Sequence, residues 1–179
     1  MQENLNIGTR IDASVTPTDN GVIEKYSYQD DPNNSEIYGG LYHWHEMMDY
    51  NSTDNGNPGT TRGVCPIGWH LPTDREWTEM TDSLGGESTA GIKLKDIGTS
   101  LWAPPNTGAT NESGYTALPG GTHDGSYSGI NTNAYYWTST RNNTFTSRKR
   151  TLYNNADNIY RYIADLDVGN SVRCIRNPD

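Results

Sequence analysis

Gly63-Val64-Cys65-Pro66-Ile67-Gly68-Trp69-His70-Leu71-Pro72-Thr73-Asp74-Arg75-Glu76-Trp77 is the stretch on which the reading of this chain turns. Thr73 can cap a helix, and Glu76 stands three residues on, the spacing at which two side chains satisfy the free N–H groups of a first turn. Trp77, Met80 and Leu84 then fall on one helical face, and Gly85-Gly86 supplies a stop. A second helix is expected over Tyr38–Met48, where Leu41, Trp44 and Met48 follow an i, i+3, i+7 spacing. Outward from these, Thr9–Val15 and Val22–Tyr28 read as short strands, and Asp30-Asp31-Pro32-Asn33-Asn34 as a turn. Residues 49–63 read as a polar loop with no core to offer. From residue 98 on, Gly, Pro, Asn and Thr punctuate short aromatic segments around Trp102, Tyr115, Tyr127 and Tyr135–Trp137, the pattern of short strands on long loops. Helices early and strands late predict a single α+β domain over 1–179 without internal repeats.

Composition bounds the class. Leu, Ile, Val and Phe number 26 of 179 residues, below the roughly 20% at which disorder becomes the default for a charged chain. Against that stand 5 Trp and 12 Tyr, which bury large areas and can replace missing aliphatics. A folded, loop-rich protein with an aromatic core is expected. The formal charge of −9 argues against nucleic acid as a partner, because phosphate binding needs a basic face. Arg141, Arg148, Lys149, Arg150, Arg161, Arg173 and Arg176 crowd the last forty residues while acids crowd the first ninety, so internal ion pairs between the two are the preferred reading. No apolar run approaches a membrane span, so no direct membrane insertion is expected, and the opening residues do not read as a signal peptide.

The quoted stretch resembles the Fibrobacter succinogenes major paralogous domain, a family of secreted and surface lipoproteins of Bacteroidetes-type bacteria and their phages. The resemblance continues in order through Glu3-Asn4-Leu5-Asn6, Tyr38-Gly39-Gly40-Leu41-Tyr42, Leu94-Lys95, Thr110-Asn111 and Gly114–Gly121, then Tyr136–Thr140, Arg150-Thr151-Leu152 and Gly169–Arg176. Two departures stand out. Members usually carry a further Cys before the Tyr-Gly-Gly-Leu-Tyr block, where this chain has Ser35. The segment that normally precedes Glu-Asn-Leu is cut short at Met1, so a first strand is expected to be missing.

The family in turn resembles C-type-lectin-like domains. This implies two helices packed on small antiparallel sheets with long irregular loops, an extracellular, cell-surface or phage-particle location, and a disulfide between Cys65 and Cys174. The residues by themselves leave two buried thiols as the alternative.

Catalytic and metal candidates are weak. On a helix, His43 and His45 would point about 200° apart and could not share one ion. His70 has no nucleophile placed near it by any motif. The related formylglycine-generating enzymes rest on a cysteine pair near the C-terminus, where this chain has only Cys174. The Glu-Pro-Asn and Trp-Asn-Asp signatures of calcium lectins are missing. Asp30, Asp31, Asp49 and Asp54 are the loop acids with which a structural calcium would have to be built, though solvated loop acids are commoner. The expectation is a non-enzyme with no catalytic residue, no metal and no cofactor.

The segment from Gly129 to Val172 is different, with 8 Asn, 5 Tyr and 4 Arg interleaved. Tyr supplies contact area at low entropy cost, Asn adapts its hydrogen bonds, and Arg anchors, as in antibody paratopes. The competing reading is that Asn merely shapes turns. Arg141, Asn142, Asn143, Phe145, Asn155, Asp157, Tyr160 and Tyr162 are the expected ligand contacts, for a host or bacterial surface protein or a glycan. C-type-lectin-like domains are also the usual targets of diversity-generating retroelements, whose adenine mutagenesis yields Asn, Tyr, Ser, Asp, Thr and Ile, the types that fill 140–165. Two rivals remain: an enzyme acting on a cell-surface polymer, with His70 or His123 in a cleft, and a structural fibre-tip module.

Overall fold

The computed structural model describes residues 1–178 and is a mixed α+β arrangement. Strands β1 (Thr9–Ile11) and β2 (Glu24–Tyr26) are followed by helices α1 (Pro32–Tyr38) and α2 (Trp44–Met47). Next come β3 (Trp69–His70), α3 (Asp74–Ser83) and α4 (Glu87–Leu94). The second half is all strand: β4 (Gly120–His123), β5 (Tyr127–Ile130), β6 (Asn133–Arg141), β7 (Thr146–Tyr153), β8 (Ile159–Asp165) and β9 (Ile175–Arg176). Five of these form one sheet in the order β5-β4-β6-β7-β8, while β1-β2 and β3-β9 are separate pairs. The pairs β1–β2 and β4–β6 run parallel, which departs from the expected all-antiparallel sheets.

Helix α3 begins as the residues require. Thr73 accepts from the Glu76 N–H at 3.2 Å, and the Glu76 carboxylate accepts from the Thr73 N–H at 2.9 Å. The helix expected over Tyr38–Met48 is broken. Gly39 takes φ +81 and ends α1, Leu41 and Tyr42 bridge to Tyr26 and Asn170 as extended chain, and only Trp44–Met47 is helical. Its apolar spacing arises because an extended segment and one helical turn point Leu41, Trp44 and Met48 inward together. The predicted turn at residues 30–34 starts a helix instead, with Asp31 accepting from Asn33 N and Pro32 in the first turn. Helix α4, absent from the expectation, starts directly after the glycine stop of α3.

The core is aromatic, as composition predicts. Trp44, Trp102 and Trp137 are all essentially inaccessible. One cluster joins Leu5, Trp44, Met48, Leu71, Trp137 and Val172. A second joins Trp77 of α3 and Leu94 of α4 to Ala134, Tyr136, Leu152 and Ile159 of the sheet. Cys65 and Cys174 form a disulfide over a sequence separation of 109, a loop whose closure is worth about 4–5 kcal/mol in the chain-entropy model. Three basic residues of the C-terminal third gather on one acid of the first half, Asp74. Arg150, fully buried, meets Asp74 at 2.9 Å and Glu87 at 3.1 Å. Arg161 reaches the same Asp74 at 2.5 Å and Arg148 lies 3.8 Å from it.

Candidate functional site

Strands β6, β7 and β8 carry the segment that composition singled out, and their register divides it by face. Tyr135 pairs with Thr151, which pairs with Tyr160; Asn133 pairs with Tyr153, and Lys149 with Tyr162. Side chains alternate along a strand, so these residues share one face. Their neighbours Ala134, Leu152 and Ile159, and Tyr136, Arg150 and Arg161, share the other, against α3 and α4. The first face is covered at Trp137, which packs beneath Trp44, and open beyond it.

On that open part the tyrosines form a line. Tyr153 meets Tyr160 edge-on at 5.4 Å, and Tyr160 stacks on Tyr162 at 5.5 Å with planes 4° apart. Tyr162 lies at the end, 44% exposed, on an edge strand. Lys149 sets its ammonium 4.5 Å from the Tyr135 ring centre, and Asn133 donates to the Tyr135 hydroxyl at 2.8 Å. Burial pushes the Tyr153 hydroxyl up to about 12, with Tyr135, Tyr162 and Tyr160 adding to it. Tyr153 therefore remains a hydrogen-bond donor at neutral pH. The result is a line of aromatic rings edged by an amide and an ammonium.

The eight expected contact residues are not gathered in one place. Tyr160 and Tyr162 lie in the aromatic line. Arg141, Asn142, Asn143 and Phe145 lie at the β6–β7 turn, while Asn155 and Asp157 lie at the β7–β8 turn. The two turns cap opposite ends of β7, about 25 Å apart at the rise of an extended strand. Several of the eight have internal work. The Asn143 side-chain oxygen accepts from Phe145 N at 2.8 Å and Thr146 N at 2.9 Å, so it shapes the turn. The Asp157 carbonyl accepts from Ile92 N of α4. Arg141 lays its guanidinium 4.6 Å above the Trp44 ring and donates to His45 Nε2 at 3.2 Å. Phe145, in contrast, is 77% exposed. Composition missed Asn133, Tyr135, Lys149 and Tyr153. The period-2 alternation of Asn133-Tyr135 and Lys149-Thr151-Tyr153 was the signal that could have found them.

The remaining candidates are placed as follows. His70 is buried and both ring nitrogens are engaged, with Asn177 and with Glu76, each at 2.8 Å. His123 is buried between Tyr26 and Tyr127, and neither of its nitrogens has a hydrogen-bond partner among the described residues. The His43-x-His45-Glu46 trio diverges: His43 faces Tyr26, His45 faces Arg141, and Glu46 accepts from Tyr50 OH and Glu24 N. Of the loop acids, Asp30 accepts from Ala13 N and Tyr127 OH, and Asp31 caps α1. Burial opposes ionisation of Asp54, but the Thr60, Gly56 and Thr61 N–H groups outweigh it and hold its carboxyl below the ordinary range. Among the described residues no three His, Cys, Asp or Glu side chains assemble into a metal-holding group. No helix among them is long and apolar enough to cross a membrane.

The family model of the Fibrobacter succinogenes major domain matches residues 1–176, and the chain belongs to that family. No curated protein and no solved structure matches it.

Proposed function

We propose that this Fibrobacter succinogenes major domain is a non-enzymatic, cell-surface ligand-binding domain whose contact surface is the open face of β6–β8. One observation carries the reading: Tyr153, Tyr160 and Tyr162 stand in line on the solvent side of the sheet, with Lys149 and Asn133 beside them. One exposed and two half-buried tyrosines in a row offer contact area at low ordering cost, while the polar groups at the border fix orientation. The partner is a protein or glycan of a host or bacterial surface.

The frame is C-type-lectin-like in this reading. Supporting it, the last strand β9 pairs with β3 just before the capped helix, and Cys174 ties that strand to Cys65. Tyr160 and Tyr162 lie on a sheet edge where substitutions disturb few neighbours, which suits a retroelement-diversified position. A near-identical template repeat beside the gene, differing only at adenines, is the observation that tests this last point.

A structural spacer module is the second reading, and the placement of the Asn-rich turns at opposite ends of β7 favours it. The test sets the two apart. The protein and a Tyr160→Ala/Tyr162→Ala variant, both checked for folding by circular dichroism, are screened against glycan and surface-protein arrays. Binding that the double variant loses is the expected result. Binding that survives in the variant removes the tyrosine face from the account, and no binding by either protein leaves the spacer reading.

A further inference from the structure

A pocket of about 430 Å³ lies between helix α3, Tyr115 and residues 173–176, and it shares no residue with the tyrosine line. Its apolar walls are Trp69, Pro72, Trp77, Met80, Tyr115 and Ile175. A mostly apolar pocket of this size, with a few polar groups among its walls, suits a small molecule.

Two of those walls carry donors that nothing answers. Trp77 is only 3% exposed, and its Nε1–H is buried with no partner among the described residues. The other fully buried tryptophans each give theirs to a carbonyl: Trp44 to Thr138, Trp102 to Ala117 and Trp137 to Tyr42. The Tyr115 hydroxyl is likewise buried and without a partner, whereas that of its neighbour Tyr136 donates to Leu118 O. Burial pushes the Tyr115 hydroxyl well above its ordinary value, so it keeps its proton. The Trp77 and Tyr115 rings meet edge-on at 5.7 Å, which puts both orphan donors in one neighbourhood. Leaving either group dry and unbonded costs free energy that an acceptor from outside would recover.

The charge beside them gives the sign of that acceptor. Arg173 lines the same pocket, is 2% exposed, and lies 4.3 Å over the Tyr115 ring. Its guanidinium donates to uncharged oxygens only, the Asn4 side chain and the carbonyls of Met1, Tyr115 and Thr116. No carboxylate among the described residues pairs with it. The carboxylate in the lining, Glu76, is committed elsewhere: it accepts from the Gly59 and Thr73 N–H groups and meets His70 Nε2. A buried cation without a counter-charge favours an anion. We propose that this pocket binds a small apolar carboxylate, whose ring or chain lies against Trp69, Met80 and Ile175 and whose oxygens accept from Trp77 Nε1 and the Tyr115 hydroxyl beside Arg173. The site is separate from the tyrosine face and does not depend on its role.

The test titrates the full chain, isotope-labelled for NMR, with naphthylacetate and with its neutral counterpart naphthylacetamide. The indole N–H resonance of Trp77 is expected to move downfield with naphthylacetate, while those of Trp102 and Trp137, already bonded to carbonyls, stay in place. The amide is expected to bind at least about tenfold more weakly, since the charge-assisted part is lost. Tyr115→Phe removes a hydroxyl that has no partner, so the urea midpoint should hold while affinity falls at least about fivefold. Tyr160→Ala/Tyr162→Ala is expected to leave naphthylacetate binding unchanged, which separates this site from the sheet face. The proposal is overturned by a stationary Trp77 indole resonance at millimolar naphthylacetate, by equal binding of the amide, or by an unchanged affinity in a folded Tyr115→Phe variant.

Discussion

The two faces of strands β6, β7 and β8 are made of the same kinds of residue and do opposite things. On the helix side, Tyr136 is fully buried, and Arg150 and Arg161 converge on Asp74 at the start of α3. On the other side, Tyr160 and Tyr162 stack on each other and meet solvent. Arg161 lies between those two tyrosines in sequence and on the opposite face from them in space. An Asn/Tyr/Arg-rich segment is therefore two populations interleaved with period two, one that holds the sheet to the helices and one that faces away from them.

That contrast can be broken most forcefully at Asp74. Asp74→Ala leaves the buried Arg150 and its neighbour Arg161 without their shared carboxylate, and a loss of about 3–5 kcal/mol is expected in urea unfolding. A loss below 1 kcal/mol would mean that the guanidinium cluster is not a structural tie. Gly91→Ala is the next largest. A Cβ there would stand 2.4 Å from the carbonyl oxygens of Asp157 and Asn158, so α4 must move off the β7–β8 turn. The expected cost is about 1–3 kcal/mol, with ligand binding by the tyrosine face retained.

A pH titration sharpens the comparison where the open face is roofed by Trp44, beside His43. The His43 pKa falls from 6.5 when unfolded to about 4 when folded, through burial. The unfolded chain therefore binds more protons in that window, and stability present above pH 6.5 is lost as pH falls toward 4. Urea midpoints across this range should decline less steeply in His43→Asn than in the parent protein. The smallest expected effect is that of Tyr162→Ala on folding. At 44% exposure on an edge strand, its removal should change stability by no more than about 0.5 kcal/mol. Thermal unfolding checks this, and a large loss would place Tyr162 with the scaffold residues.

Much of the frame was legible because it is local. The Thr73/Glu76 capping box and the stripe of Trp77 behind it need only a few consecutive residues, and they fold as those residues indicate. The break in the helix expected over Tyr38–Met48 was not legible. Leu41 and Tyr42 pair with Tyr26 and Asn170, strands remote in sequence, and those bridges override a helical spacing. Residues 49–63 looked like a loop with nothing to bury, yet Asp54 organises it by accepting three backbone N–H groups. Of the candidate surface, composition found Tyr160 and Tyr162 but also took in Asn143, whose side-chain oxygen is committed to a turn, and Asp157, whose backbone carbonyl holds α4. Only the register of β7 against its neighbours separates the groups. A groove lined by Asp19, His43 and Asp165 has no sequence signature, since the three come together from distant segments.

The disulfide also sets how the domain would bear a mechanical load. A pull applied between the two ends travels along the backbone to Cys65, crosses to Cys174, and leaves. Everything between those cysteines, including all five strands β4–β8, lies off that covalent path. Tension can strip the first sixty-odd residues from the body, beginning with contacts such as Leu5 N to Val172 O, and it reaches the sheet only through non-covalent ties such as Trp44 Nε1 to the Thr138 carbonyl and Trp137 Nε1 to the Tyr42 carbonyl. A domain wired in this way takes a pull through its disulfide rather than along the backbone of its sheet.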